Sequence, residues 1–407
     1  MLLFSPAIKA ASAFALGGAA FALANLLLAR HLTTQAYGEF SLILAIAILG
    51  IPLGTLSLDA VVLRHRPGPQ TKLLKLSIVT GVIVGILIAA TAWVIYSTDP
   101  GFLPLIVLAI AAGSVARMSS SVYQSEKRYK SSLLLIQSQN ITLILAAIAA
   151  GLFVGVSAET VYSAYAGHWA LAAIIGWLSL KQFSGLKADD TWKVPWAESP
   201  PLFGHLVAAQ LTGQLDRLMI PKLLDIESLA TFGVLSALVL APFKMFQAGM
   251  GYTLIPGLRL AATKDERKDI VTHEARTAAF VIIVAIASGF IVAPWVTNLF
   301  LQGKYELGHV LIAAAVSAGS LQVLVMFVSS IVMALGSRAH LTSLNRGTWL
   351  ALLISIAGGW WGSRWGLPGI VLGFAVGSLT RIVIAAFIAV NVWQKPEKGT
   401  SESISPI

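Results

Sequence analysis

A chain of 407 residues in which 57% are hydrophobic and 11% charged, with a mean hydropathy of +0.81, cannot cover its surface with polar groups in water; soluble domains carry roughly 25% charge. Lipid must be its solvent. The excess of 28 Lys+Arg over 18 Asp+Glu points to the cytoplasmic leaflet rather than to nucleic acid, and zero cysteines remove disulfides, iron–sulfur clusters and thiolate metal sites.

A membrane-spanning helix needs about 20 mostly apolar residues. Such runs lie at about 10–29, 40–63, 73–96, 101–123, 131–155, 158–180, 202–224, 228–256, 277–302, 308–335, 345–365 and 367–393, which predicts twelve spans. The first has no charged start and is long enough to span, so no cleavable signal is expected. Strict alternation over about ten residues, the mark of a membrane β-barrel, is absent. The predicted fold class is an all-α polytopic membrane protein.

Loop charges orient the spans. With a cytoplasmic N-terminus, twenty basic residues fall in cytoplasmic segments, four (Arg30, Lys222, Lys304 and Arg364) fall on the opposite side, and four lie inside spans. Cytoplasmic loops collect Lys and Arg, so both termini are expected in the cytoplasm. One missed helix would scramble this pattern downstream.

The longest polar connection, KQFSGLKADDTWKVPWAESPP at 181–201, follows the sixth span and carries both charge signs and three prolines. It predicts a six-helix lobe over 1–184, a cytoplasmic linker over 185–201, a second six-helix lobe over 202–394 and a cytoplasmic tail over 395–407. The halves share features in the same order. Ala36-Tyr37-Gly38-Glu39-Phe40-Ser41-Leu42 heads span two as Thr231-Phe232-Gly233-Val234-Leu235-Ser236-Ala237 heads span eight. Glu126-Lys127-Arg128-Tyr129 opens span five much as Gly336-Ser337-Arg338-Ala339 precedes span eleven. Parallel repeats of this kind enclose a central cavity and can rock about it, the geometry of alternating access.

Here the residues also resemble a known family. The stretch LLLARHLTTQAYGEFSLILAIAILGIPLGTLSLDAVVLRH is similar to the first hairpin of the polysaccharide-unit flippases (the O-antigen type) of the multidrug/oligosaccharidyl-lipid/polysaccharide exporter superfamily. Gln214-Leu215-Asp216-Arg217, Phe232-Gly233 and Tyr252-Thr253-Leu254-Ile255-Pro256 look like its seventh and eighth helices. Gly303-Lys304-Tyr305 and Trp365-Gly366-Leu367-Pro368-Gly369-Ile370 are similar to its late signatures. The resemblance covers nearly the whole chain and implies a flippase of the bacterial inner membrane that carries an undecaprenyl-diphosphate-linked sugar unit to the outer leaflet, with a glycan polymerase as an expected partner. The peptidoglycan-precursor branch usually has fourteen helices, so twelve spans point away from it.

Charges inside spans cost about 2.5–3.5 kcal/mol on insertion scales and need a partner, water or a ligand. Arg117, Arg217, Lys244, Arg381, Asp59 and Asp216 are such charges. Gln210, Gln214 and Arg217 fall at i, i+4 and i+7 on one face of span seven; Lys244 and Gln247 share a face of span eight. Ser114, Arg117, Ser121 and Gln124 make a stripe in span four, and Gly373 and Gly377 precede Arg381 by two turns and one. If these stripes face inward they line one cationic lumen, where guanidinium forks bind phosphate oxygens bidentately. Arg117, Arg217, Lys244, Arg381, Gln210, Gln214 and Gln247 are therefore the candidate substrate-binding residues. The rival reading has some of them snorkelling to an interface or pairing with a local carboxylate, Arg117 above all. Asp216 is either the partner of Lys244 or the group that couples transport to H+ or Na+. Asp59 is expected to pair with Arg64 or Arg66. His168 and His205 could shuttle protons, but lone histidines in spans are more often satisfied packing residues, which is the expectation here. Gly81 with Gly85 and Gly373 with Gly377 have the spacing of close helix packing, and Pro52, Pro242 and Pro294 are expected to bend their helices.

No GxxxxGK[ST], HExxH, GxSxG or metal-ligand spacing occurs, so no ATP-driven pump, cofactor or metal centre is expected. Two rivals stay open: a multidrug cation antiporter of the same superfamily, which would want an acidic lumen, and a lipid-linked-glycan polymerase or ligase, which would want a sizeable outer loop.

Overall fold

The protein is represented by a computed structural model that describes residues 6–153, 155–183, 194–196, 199–261 and 263–394. The expected tail at 395–407 and most of the linker at 185–201 lie outside the described residues. Among the described residues there is no strand, and the α-helices are α1 (Pro6–His31), α2 (Thr34–Gly54), α3 (Leu58–His65), α4 (Thr71–Tyr96), α5 (Phe102–Ser125), α6 (Tyr129–Leu152), α7 (Ala158–Phe183), α8 (Ser199–Leu223), α9 (Ile226–Leu235), α10 (Ala241–Leu260), α11 (Lys264–Leu299), α12 (His309–Leu335), α13 (Arg338–Gly362) and α14 (Gly366–Gln394).

Eight stretches are long and apolar enough to cross a membrane, one of which runs through both α13 and α14, with α1 contributing a shorter apolar helix. Adding α7 and α8 accounts for the twelve expected spans. α8 falls short on apolarity because it carries Gln210, Gln214, Asp216, Arg217 and Lys222. Large apolar side chains such as Leu87, Val94, Phe280, Ile283 and Phe387 are exposed, as lipid-facing residues must be.

Three helices differ from expectation. The span expected at 40–63 breaks into α2 and α3 at Leu56 and Ser57, whose φ angles are +48° and +62°. Pro52 sits in the last turn of α2, and the Thr55 hydroxyl donates to the Pro52 carbonyl at 2.8 Å and to Asp59 Oδ1 at 3.0 Å, fixing the break. The ninth span starts not at 277 but at Lys264, because a capping box between Thr263 and Glu266 nucleates α11 well before the apolar run. Between α9 and α10 the chain makes a π turn over Ser236–Leu240. An ordinary α-turn would drive the Pro242 ring into the Leu238 carbonyl; the wider turn absorbs that proline and re-aims everything after it, Lys244 included.

α4, α5 and α7 pack together in the first lobe, with α6 on α1; α12, α13 and α14 pack together in the second, with α10 on α12. The lobes meet where α2 lies on α8 and α9 and where α1 lies on α10. Glycines let the helices approach. A side chain at Gly81 or Gly85 would meet Ala111 or Val107 of α5, and one at Gly373 would run into the Gly358 backbone of α13. Both glycine pairs thus serve packing. Gly373→Ala overpacks the α13–α14 contact and is expected to cost about 1–3 kcal/mol, read as a lowered thermal midpoint of the purified protein; an unchanged midpoint would contradict the contact.

Candidate functional site

The connections divide the molecule into a basic-rich end, holding the turns at 66–70, 126–128, 261–263 and 336–337, and a basic-poor end, holding those at 32–33, 97–101, 224–225, 300–308 and 363–365. A cavity of about 360 Å³ lies inside the second lobe. Its polar lining is Thr212, Gln214 and Asp216 from α8, Lys244 and Gln247 from α10, Gln322 from α12, Thr348 and Ser355 from α13, and Ser378 and Arg381 from α14; Phe232, Leu240, Met326 and Phe374 supply apolar wall. Four of the seven predicted substrate residues (Gln214, Lys244, Gln247 and Arg381) share this space with Asp216.

Two of its buried donors, Arg381 Nε and Gln247 Nε2, have no hydrogen-bond acceptor among the described residues. Asp216 Oδ1 accepts the backbone N–H of Arg217 at 2.8 Å, and the carboxylate faces the cavity without a direct ion pair to Lys244. The expected Asp216–Lys244 bond is therefore replaced by a shared hollow. Two cations against one carboxylate leave it net positive. Each buried donor left unmade costs about 1–3 kcal/mol, which an incoming oxygen-rich anion would return.

Arg117, Arg217 and Gln210 do not line the cavity. Arg117 is a correction: its Nε bonds Asp59 Oδ2 at 2.7 Å, so its charge is matched inside the first lobe. Asp59 finds this partner 58 residues on along the chain, because the break at Leu56–Ser57 turns α3 toward α5; of the two expected partners, Arg66 is exposed and the Arg64 side chain lies outside the described residues. The rest of the span-four stripe packs: Ser114 Oγ bonds the Ile51 and Ile110 carbonyls at 3.0 and 2.7 Å. Asp59→Asn or Arg117→Gln should each destabilise the fold by about 1–3 kcal/mol, and the double variant should lose less than the sum in thermal unfolding; strict additivity would mean the pair is not coupled.

Arg217 is 6% exposed and lies at the seam between the lobes, near enough to act electrostatically on Tyr37 of α2. His168 hydrogen-bonds Ser138 at 3.2 Å and Thr142 at 2.8 Å through its two ring nitrogens, as a satisfied packing residue should. His205 Nδ1 meets Asn345 at 3.3 Å.

At the basic-poor end the lobes are stitched together. Lys304 Nζ donates to the Ala29 and Leu32 carbonyls, Tyr305 Oη donates to the Ala29 carbonyl at 3.1 Å, and the Tyr305 ring stands edge-on to Tyr37. Tyr96 Oη donates to the Leu218 carbonyl at 2.7 Å, and Gly38 abuts the Ile226 carbonyl. Arg30 lies over the Phe300 ring. This end is closed.

The model of a family described as polysaccharide biosynthesis protein matches residues 18–259, more than half of the chain. The chain belongs to the polysaccharide biosynthesis protein family. Among solved structures it is similar to the MATE multidrug transporter DinF-BH (14% identity, 96% of each chain covered, TM-score 0.62). It is also similar to a Vibrio cholerae MATE transporter, VcmN (17%, 95% of each, 0.58), and to the lipid II flippase MurJ in an inward closed conformation (13%, 95% of this chain and 90% of that one, 0.58). At such identities these show a shared fold. No curated protein matches the chain. In this member of the polysaccharide biosynthesis protein family the cavity is also lined by Thr212, Gln322, Thr348, Ser355 and Ser378, uncharged residues that intramembrane charge alone does not mark. Gln322 was findable: it is the lone amide of α12, in the middle of a span whose other polar side chains are serines and the terminal His309.

Proposed function

We propose that the protein is a flippase that carries an undecaprenyl-diphosphate-linked glycan, a surface-polysaccharide repeat unit, from the cytoplasmic to the outer leaflet of the bacterial inner membrane. The basic-rich end is then cytoplasmic, and so are both termini. The observation that carries this reading is the pair of unmatched donors, Arg381 Nε and Gln247 Nε2, beside the Lys244 amine in a second-lobe cavity of a polysaccharide biosynthesis family member. Guanidinium and ammonium groups suit diphosphate and acidic-sugar oxygens, and amides suit sugar hydroxyls.

At about 360 Å³ the cavity accepts part of a headgroup, not an oligosaccharide. The closed basic-poor end agrees with one state of an alternating cycle, in which parting the lobes enlarges the path. The isoprenoid tail stays in lipid while the headgroup crosses. Asp216 opposite Lys244 is the proposed coupling group: protonation or a Na+ ion would change the cavity's charge balance. A cationic drug would meet Lys244 and Arg381 with one carboxylate to offset them, which disfavours the antiporter reading. The test is reconstitution in liposomes with an undecaprenyl-diphosphate-linked glycan and a probe of the outer leaflet. Protein-dependent appearance of the glycan outside supports the proposal; export of cationic dyes without glycan movement overturns it.

A further inference from the structure

A second hollow, of about 950 Å³, lies on the flank of the first lobe between α1 and α6 and has no place in the transport path. Its mouth is at the basic-rich end, at Lys127 and Lys130, both exposed. Its walls are apolar: Leu16 and Ala20 from α1, Leu134 and Ile141 from α6. Its floor is polar and closed, because Asn140 Nδ2 donates to the Gly17 carbonyl at 3.0 Å and to Gln137 Oε1 at 2.9 Å, clamping α1 to α6. From Lys130 to Ile141 a helix rises about 16 Å, half of the roughly 30 Å hydrocarbon core. The hollow is therefore one leaflet deep, with cations at headgroup level.

The turn at its mouth is built in an unusual way. Arg128 N–H donates to the Tyr123 carbonyl and Lys127 N–H to the Gln124 carbonyl, the paired bonds of a helix C-cap. In that motif the left-handed residue is usually glycine, yet here Lys127 holds it, at φ +62°. Arg66 and Ser97 take the same left-handed conformation at the ends of α3 and α4. The geometry of this turn therefore fixes where the Lys127 side chain stands, and its charge and its place at the mouth of the hollow are what bear on a ligand.

α1 separates this hollow from the second lobe. Gly17 faces Gln137 in the hollow while Gly18, the next residue, faces Met245 of α10. A molecule held here is not on its way into the cavity at Arg381.

We propose that the α1–α6 groove is a binding site for one anionic phospholipid of the cytoplasmic leaflet, its phosphate on Lys127 and Lys130 and an acyl chain along Leu16, Ala20, Leu134 and Ile141. Basic pockets between helices on this side of a membrane take anionic headgroups, with a contribution per cation that corresponds to about fivefold in affinity. The site stands apart from the transport path and rests on the proposed function only for its orientation, in which the basic-rich end is cytoplasmic.

The test uses the full chain purified in neutral detergent, with phosphatidylglycerol and phosphatidylcholine added in turn and the thermal midpoint and bound lipid measured. Phosphatidylglycerol should raise the midpoint and be retained one per chain, and phosphatidylcholine should do neither. Lys127→Gly should weaken phosphatidylglycerol about fivefold, and with Lys130→Gln about thirtyfold, the product of two such factors. Because Lys127→Gly relieves the left-handed strain, its midpoint without lipid should be no lower than that of the parent, which separates lost binding from lost folding. Leu134→Trp fills the groove without touching charge and should also abolish retention. Equal stabilisation by both lipids, full affinity in the Lys127→Gly/Lys130→Gln variant, or one-for-one displacement by a polyprenyl diphosphate would overturn the proposal.

Discussion

Arg381→Ala should cut glycan translocation in liposomes by about 10- to 150-fold, the loss of a hydrogen bond to a charged group at roughly 1.5–3 kcal/mol, and Arg381→Glu should abolish it. The guanidinium enters the cavity from α14 with its Nε buried and without an acceptor among the described residues. Removing it takes away the donor that most needs the ligand; reversing it places two carboxylates, at 381 and 216, against Lys244 alone. Arg381→Lys keeps the charge but not the planar fork, so a partial loss is expected, smaller than that of alanine. Lys244→Ala should act on the same step. Because both cations face one ligand, the double variant should lose less than the two single losses combined. Each variant is checked for folding by its thermal midpoint. Asp59→Asn supplies the contrast: it lowers the midpoint but, in the protein that folds, leaves translocation near the parental rate, since Arg117 lies outside the cavity. If Arg381→Glu translocated normally while Asp59→Asn did not, the site would belong in the first lobe.

Asp216→Asn tests coupling separately. If the carboxylate binds the coupling ion, the variant should still bind glycan yet lose its response to an imposed H+ or Na+ gradient. A gradient response identical to the parent's would return Asp216 to a structural role.

The spans were legible because an apolar helix in lipid has one dominant constraint: all of its backbone must be hydrogen-bonded within a run of about 20 residues. The helix count, the two lobes and the glycine contacts at Gly81 and Gly373 follow from that constraint and from residue size. Details set by cooperation between distant segments were not legible. Thr263 with Glu266 started α11 in what reads as a polar loop, and the π turn before Pro242 shows only as a proline in an apolar run. The site was half legible. An intramembrane charge announces that it needs a partner, but not which one. Asp59 and Arg117 satisfied each other across 58 residues, Arg217 went to the lobe seam, and Lys244 and Arg381 met with Asp216 in the second lobe. The position of Arg117 near the end of its span already set it apart from mid-span Arg381, but only the break at Leu56–Ser57, which swings Asp59 toward α5, names its partner.

Lys304→Ala and Tyr305→Phe should open the basic-poor end. The last carbonyls of α1 have no partner within their own helix, and its C-terminus carries the negative end of the helix dipole. The second lobe supplies what is missing: the Lys304 amine bonds the Ala29 and Leu32 carbonyls, and the Tyr305 hydroxyl bonds Ala29 as well. An outward-open state must break these contacts, so they weight the equilibrium toward closure. Removing donors worth about 1–3 kcal/mol together shifts it toward the open state by about 5- to 150-fold. The chain contains no cysteine, so Ala29→Cys, at a fully buried seam position, gives a clean reporter for an impermeant thiol reagent added from outside. Labelling normalised to an exposed control cysteine should accelerate by that factor when both latch donors are removed, and by less in either single variant. Burial holds the Lys304 amine below the ordinary lysine range. The closed state therefore binds fewer protons than the open one between that depressed value and about 10.4, the free-lysine value, so raising the pH through this window favours closure. Normalised labelling of the parent should slow across it, and Lys304→Ala should remove the dependence. Unchanged labelling in the latch variants, or a pH response that survives Lys304→Ala, would mean that closure rests on the Tyr96–Leu218 and Gly38–Ile226 contacts instead.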